Sequence, residues 1–309
     1  MNRIKIAVVG ENLVDIFKMN DKFEAHPGGS PLNIAVGLAR LGANVSYITK
    51  FSNDFFGAML KDVLKSEKID ISNCPVDDQL HTTLAFVFIG KDKVPNFEVW
   101  NQCTADSSIT WNDLSKIELR EFSAVHFGSI LLATPAAEAV LEFVKRSKNV
   151  GIFISFDPNY RSKVALDEKA YVKNLLKGWE LANVVKCSLE DAKAIFGVSN
   201  FEDAVKAIKK IKIPTVITMG EKGSYVVNNK LTHIPVYPTT VVDTTGCGDA
   251  FAAGMIYALS KRAFSIENDE LTEAAKVGSV TAAFAAQKIG AISSFAYVDS
   301  IEKILKGTS

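Results

Sequence analysis

Apolar residues in this chain fall into two alternating rhythms. Residues 4–9 form a short apolar run that stops at Gly10, which predicts a buried strand. Leu13–Met19 and residues 23–26 flank the polar step Asn20-Asp21-Lys22 and predict a small hairpin. Pro27-Gly28-Gly29-Ser30-Pro31 then breaks the chain, with Ser30 placed to cap a helix and Pro31 to fill its first position. Leu32, Ala35, Val36 and Ala39 recur at helical spacing until Gly42 ends the helix. Residues 45–49 predict a strand and residues 54–66 an amphipathic helix.

Residues 82–89 and 97–100 read as strands around Gly90-Lys91-Asp92-Lys93, with no helix between them, so they should pair antiparallel. Together with the early hairpin they predict a small second sheet. Strand–helix alternation returns at residue 124. Strands are expected at 124–127, 151–156, 184–187 and 215–219, and helices at 135–148, 168–181, 188–196 and 201–211. Residues 223–228 and 231–236 predict a hairpin, and the rest is helical at about 248–261, 268–288 and 300–306. This order predicts an α/β fold with a mostly parallel sheet covered on both faces. Ligands bind such sheets beyond the carboxyl ends of the strands. The expected organisation is one domain over residues 1–309 with a β appendage built from about 12–27 and 81–106.

The 35 basic and 35 acidic residues balance, so nothing marks the chain for coating nucleic acid or an anionic membrane. No stretch approaches the roughly 20 apolar residues that span a bilayer. The first apolar run is too short for a signal sequence. The four cysteines and four histidines are scattered, without metal-ligand or disulfide spacing. A soluble, reducing, cytoplasmic setting is expected.

The most informative stretch is Asp243-Thr-Thr-Gly-Cys-Gly-Asp-Ala-Phe251, which opens a strongly helical run. Gly246 and Gly248 let the backbone turn tightly and leave its N–H groups uncovered at a helix start. The helix dipole adds about half a positive charge there, which makes an anion site. Asp249 lies inside that positive end and is expected to stay ionised at neutral pH, ready to take a proton from an incoming hydroxyl. A plain helix cap is the competing reading of Gly248-Asp249. The chain has no Walker G-x-x-x-x-G-K-[ST], no G-x-G-x-x-G after its first strand and no G-x-S-x-G elbow.

Three segments together resemble the ribokinase-like, or PfkB, carbohydrate kinases. They are Gly28-Gly29-Ser30-Pro31-Leu32-Asn33, continuing through Gly37-Leu38-Ala39-Arg40-Leu41-Gly42 to Asn53-Asp54-Phe55-Phe56-Gly57; Asp157-Pro158-Asn159-Tyr160-Arg161; and residues 243–251. The resemblance covers essentially the whole chain. It implies a three-layer α/β/α fold with a small β lid, and a homodimer paired through that lid. It implies ATP and Mg²⁺ as partners of the reaction and leaves open K⁺ near Asp243. By resemblance Asp249 is the catalytic base, and the backbone of Gly246, Cys247 and Gly248 is the anion hole for the travelling phosphoryl group. Asp15, Gly28, Gly29, Asn33, Asn159 and Arg161 match sugar-binding positions. Ser188, Thr218, Gly220, Gly223, Gly248 and Ser279 match nucleotide-binding ones. Ser188-Leu189-Glu190-Asp191 falls on the family's magnesium-linked motif, with Asp191 and Glu190 as rivals for its acidic place. Ordinary turns are the alternative for Gly28-Gly29 and for Lys222, and a surface ion pair for Arg161. Cys247 replaces a usual Ala, and Ser279 a frequent Asn.

Gly-Gly-Ser-Pro-x-Asn and Asp-Pro-Asn-x-Arg look closest to fructokinases. An Arg that many fructokinases carry in the lid is Asn101 here, and Trp100 beside it reads as a sugar-stacking ring or as packing. The expected activity is phosphorylation of a sugar, fructose first. The alternatives are 2-keto-3-deoxygluconate, a nucleoside or an inositol, or a non-catalytic sugar-binding protein.

Overall fold

Along the first strand, Ile6 and Val8 pack into one core while Ala7 and Val9 pack into another on the opposite face. That alternation is what a sheet buried on both sides requires. The computed structural model describes residues 4–19, 22–89 and 95–307. The hairpin step at Asn20-Asp21 and the Gly90-Lys91-Asp92-Lys93 turn lie outside them.

The chain begins β1 (Lys5–Val9), β2 (Leu13–Met19), β3 (Lys22–Gly28), α1 (Ser30–Arg40), β4 (Asn44–Ile48). It continues with β5 (Phe51–Ser52), α2 (Phe55–Ser66), β6 (Val76–Asp77), β7 (Thr83–Ile89), β8 (Pro95–Trp100) and α3 (Trp111–Leu114). The alternating half holds β9 (Ala124–Gly128), α4 (Ala137–Asn149), β10 (Phe153–Asp157), α5 (Glu168–Leu181), β11 (Val184–Ser188), α6 (Leu189–Phe196) and α7 (Phe201–Ile211). It closes with β12 (Thr215–Thr218), β13 (Ser224–Val227), β14 (Leu231–Ile234), α8 (Cys247–Ser260), α9 (Asn268–Ala285) and α10 (Val298–Gly307).

The large sheet runs β14-β13-β12-β11-β10-β9-β1-β4. Its strands are parallel from β4 to β12, and the β13–β14 hairpin finishes one edge antiparallel. One core cluster, with Phe127, Phe143, Phe156 and Trp179, lies on the face covered by α4 to α7. The other, with Leu32, Leu60, Met255 and Leu271, lies under α1, α2, α8 and α9. Each such fully buried side chain contributes about 1.5–3 kcal/mol. Among the described residues no helix is long and apolar enough to cross a membrane.

The smaller sheet has the order β3-β2-β7-β8, with β2 and β7 parallel and the outer pairs antiparallel. Two expectations shift here. Pro27-Gly28 does not break the chain but ends β3, an edge strand where a proline costs no ladder bond. Ser30 does not cap α1: Gly29 does, at φ +100°, and Pro31 sits in the first turn.

Candidate active site

The carboxyl ends of β1, β9, β10 and β11 face the start of α8 and the start of α1. Ser30 and Asn33, three residues apart on α1, turn their side chains the same way. Ser30 Oγ donates to Asp249 Oδ1 at 2.6 Å, and Asn33 Nδ2 donates to Asp249 Oδ2 at 2.8 Å. Both oxygens of the carboxylate are thus oriented from an element 216 residues away in sequence. Asn33 Oδ1 is buried and has no partner among the described residues, so an unused acceptor lies beside Asp249. Such a group costs free energy unless a ligand or water meets it.

The carboxyl of Asp249, expected to stay ionised at neutral pH, lies above the ordinary carboxylate value. Burial raises its carboxyl, while Ser30, Asn33 and Lys186 pull it down and Asp157 raises it again.

Gly246 caps α8 at φ +75°, a left-handed conformation that favours glycine. A Cβ there would lie 2.7 Å from the Ala291 Cβ. In the turn matched to the anion hole, the Cys247 N–H donates to Thr244 O at 3.2 Å, while no hydrogen bond is found among the described residues for the N–H groups of Gly246, Gly248 and Asp249. The Cys247 thiol is pushed up to about 11, mainly by burial, and stays protonated.

Lys186, on β11, is the functional residue that motif reading missed. Its Nζ pairs with Asp157 Oδ2 at 2.8 Å, with both side chains buried. A Cβ on Gly248 would come within 3.2 Å of that ammonium, so a fixed positive charge underlies the turn that opens α8. Burial lowers the Lys186 pKa, but Asp157, with Asp191 and Asp249 beyond it, raises it above its usual value. The available signal was one lysine inside the apolar run Val184-Val185-Lys186-Cys187. Glu11 was also missed. It is 2% exposed, and burial lifts its carboxyl to about 8.

Asp15 projects from β2 toward Gly28, where a Cβ would lie 2.2 Å from Asp15 Oδ2, so any larger residue there would displace that carboxylate. Burial, then the charge of Asp249, raises Asp15 to about 7. A Cβ on Gly29 would sit 3.2 Å from Glu11 O. Asn159 adopts φ +36° in the turn after β10, and its N–H donates to Asp157 Oδ1 at 3.1 Å. Arg161 is exposed, donates to Tyr160 O, and forms none of the ion pairs found among the described residues. Asn101 is buried and donates to Val164 O at 3.2 Å, tying the end of β8 to the Arg161 loop. Trp100 stays 56% exposed, with its ring 4.7 Å from Phe86.

The residues matched to nucleotide binding divide. Ser188 Oγ is committed to capping α6, accepting from Asp191 N. Asp191 accepts in turn from Ser188 N and Tyr160 N, whereas Glu190 is exposed. Burial and Asp157 raise Asp191. Thr218 Oγ1 donates to Cys187 O, and Gly220 and Gly223 take positive φ in a short turn that exposes Lys222. Ser279 does not offer a free hydroxyl: it accepts from Tyr237 N at 3.0 Å and is buried in α9. Asp243 accepts from Thr245 N, Thr245 Oγ1 and Gly290 N, and these hydrogen bonds outweigh desolvation and lower its pKa.

Comparison with known proteins places the chain in a family. The model described as pfkB family carbohydrate kinase matches residues 3–296. A putative sugar kinase of Pyrococcus horikoshii is 33% identical over 93% of this chain and 91% of its own length. Fructokinase-1 of Oryza sativa is 30% identical over 92% of this chain and 90% of its own. Among solved structures, a double mutant of the Vibrio cholerae fructokinase, with fructose, ADP and potassium ion bound, superposes with a TM-score of 0.87. It is 26% identical, and the match covers 98% of this chain and 99% of that one.

Proposed function

Because the chain belongs to the pfkB family of carbohydrate kinases, we propose that it transfers the γ-phosphoryl group of ATP to a hydroxyl of fructose. The observation that carries this reading is the Asp249 carboxylate, gripped by Ser30 and Asn33 at the open amide end of α8.

In the proposed step the fructose hydroxyl points at Asp249 while Asn33 Oδ1, Asp15 and the Gly28-Gly29 backbone hold the rest of the sugar. Asp249 takes the hydroxyl proton as the oxygen bonds to the γ-phosphorus. The bond to the β,γ-bridging oxygen breaks and ADP leaves. The proton on Asp249 then passes to solvent, so atoms and charge balance. The amides of Gly248 and Asp249, with the helix dipole and the Lys186 ammonium, oppose the charge on the transferring group. Preorganised donors of this kind contribute about 3–4 kcal/mol each.

Mg²⁺ would travel with the ATP phosphates, keep most of its waters, and supply charge neutralisation. Asp191, whose oxygens already serve two amides, suits contact through water. Asp243, held anionic, suits a K⁺ ion beside the anion turn. Pairing of two copies through the smaller sheet belongs to the same reading.

The test is ATP consumption across a panel of sugars, with Asp249→Asn alongside. Fructose should give the highest kcat/KM, and the variant should lose about 10³-fold in kcat while still binding ADP. Sugar binding without turnover in the wild type would favour a sugar-binding protein; equal turnover in the variant would remove Asp249 from its role.

A further inference from the structure

Arg40 closes α1 at the end opposite Ser30, inside the Gly37-Leu38-Ala39-Arg40-Leu41-Gly42 segment to which the reaction assigns no part. Its guanidinium is nearly enclosed. Nε and Nη2 donate to Glu67 Oε1 at 3.0 and 2.6 Å. Nη1 donates to the carbonyls of Ile292 and Phe295 at 2.5 and 3.2 Å. The ring of Tyr297 covers it at 5.1 Å.

Those two carbonyls belong to a short segment with unusual neighbours. Ala291 and the Phe295 ring pack against the Gly246 turn, where a Cβ would meet them at 2.7 and 3.2 Å. Just upstream, Gly290 N donates to Asp243 Oδ2 at 2.8 Å. Phe295 also lies against Gly37 in the middle of α1. One rigid helix therefore grips Asp249 at its front through Ser30 and Asn33. At its rear it grips the outer wall of the anion turn through Arg40.

We propose that Arg40 is a positioning residue for phosphoryl transfer: it fixes residues 290–295 against the Gly246 turn and Asp243 without touching either substrate. This rests on the kinase reading above. Five donors in a rigid fork let arginine serve one carboxylate and two carbonyls together, which a lysine cannot match.

The test is steady-state kinetics on Arg40→Met, which keeps the apolar stem, on Arg40→Lys, and on Glu67→Gln, all at a temperature where circular dichroism shows them folded. Arg40→Met should lower kcat about tenfold and leave the sugar KM within about twofold, a loss specific to the transition state. Arg40→Lys should recover part of kcat, and Glu67→Gln should lose about threefold because its neutral amide orients the guanidinium less firmly. A folded Arg40→Met with wild-type kcat would overturn the proposal. So would kcat and sugar KM moving together, with Arg40→Lys no better than Met. Should Arg40→Met not fold, Glu67→Gln decides: unchanged kcat overturns the proposal. A wild type that turns over no sugar defeats the kinase reading instead. The clamp is then read from ADP affinity by calorimetry, which Arg40→Met should weaken at least about fivefold and which, if unchanged, refutes it.

Discussion

A general base works best when its proton affinity lies near the operating pH, and burial moves Asp249 in that direction. Its neighbour Asp15 is lifted to about 7 by burial and by the Asp249 charge. Below about 7 the Asp15 carboxyl is protonated, and above it both oxygens are acceptors for sugar hydroxyls. The sugar KM at saturating ATP should therefore fall as pH rises from about 6 to 8. Asp15→Asn should flatten that dependence, and a wild-type KM that ignores pH would contradict it. Lys186 carries a different burden. Removing it leaves Asp157 and Asp191 facing each other out of water, the arrangement in which breaking a buried pair costs about 3–5 kcal/mol. Lys186→Met should accordingly lower the urea midpoint by that equivalent. Lys186→Met combined with Asp157→Asn should regain part of the loss, since the uncompensated charge goes with it.

At the scale of elements, α1 and α8 form the frame that holds Asp249 and the Gly246 turn together. Gly37 lets them pack closely: a Cβ there would lie 2.8 Å from the Ala253 Cβ. Gly37→Ala must push the helices apart by a few tenths of an ångström. Because α1 carries Ser30 and Asn33 with it, kcat should fall about tenfold or more, as misplacement far from the chemistry can cause. Unchanged kinetics would show that the frame tolerates the shift. Much of this frame was legible beforehand. The apolar rhythm located nearly every long strand and helix, because strands buried on both faces write short continuous apolar runs and their covering helices write period 3.6. What escaped was either very short or non-local. β5 and β6, two residues each, carry no periodicity to detect. Ser30 looked like a cap because nothing local shows that its hydroxyl is taken by Asp249. The Thr244 carbonyl that occupies the Cys247 amide is likewise a property of the folded turn. Lys186 was visible only as an anomaly, whose partner Asp157 sits 29 residues away.

At the scale of the whole molecule the smaller sheet has two faces with different tasks. Asp15 and Ala85 stand on one, and Asp15 reaches the site from it. Cross-strand register puts Phe23, beside Lys18, together with Phe86 and Trp100 on the other. There Phe23 is 64% and Trp100 56% exposed, and Phe88 stacks on Phe86 at 6.3 Å. Phe23 and Trp100 thus expose apolar surface at the two edges of this face, with the half-buried Phe86 and Phe88 between them, and an apolar face of this kind suits a partner. A second copy offers the same face under a twofold axis, and a standard interface needs about 1,600 Å² in total. The protein should therefore sediment as a dimer at micromolar concentration, and Phe23→Glu with Trp100→Glu should make it a monomer by placing charges in the apolar seam. Because the same strands present Asp15, the monomer should show a raised sugar KM with little change in the ATP KM. A wild type that sediments as a monomer would remove the lid pairing. A dimer untouched by the double variant would move the interface to another face.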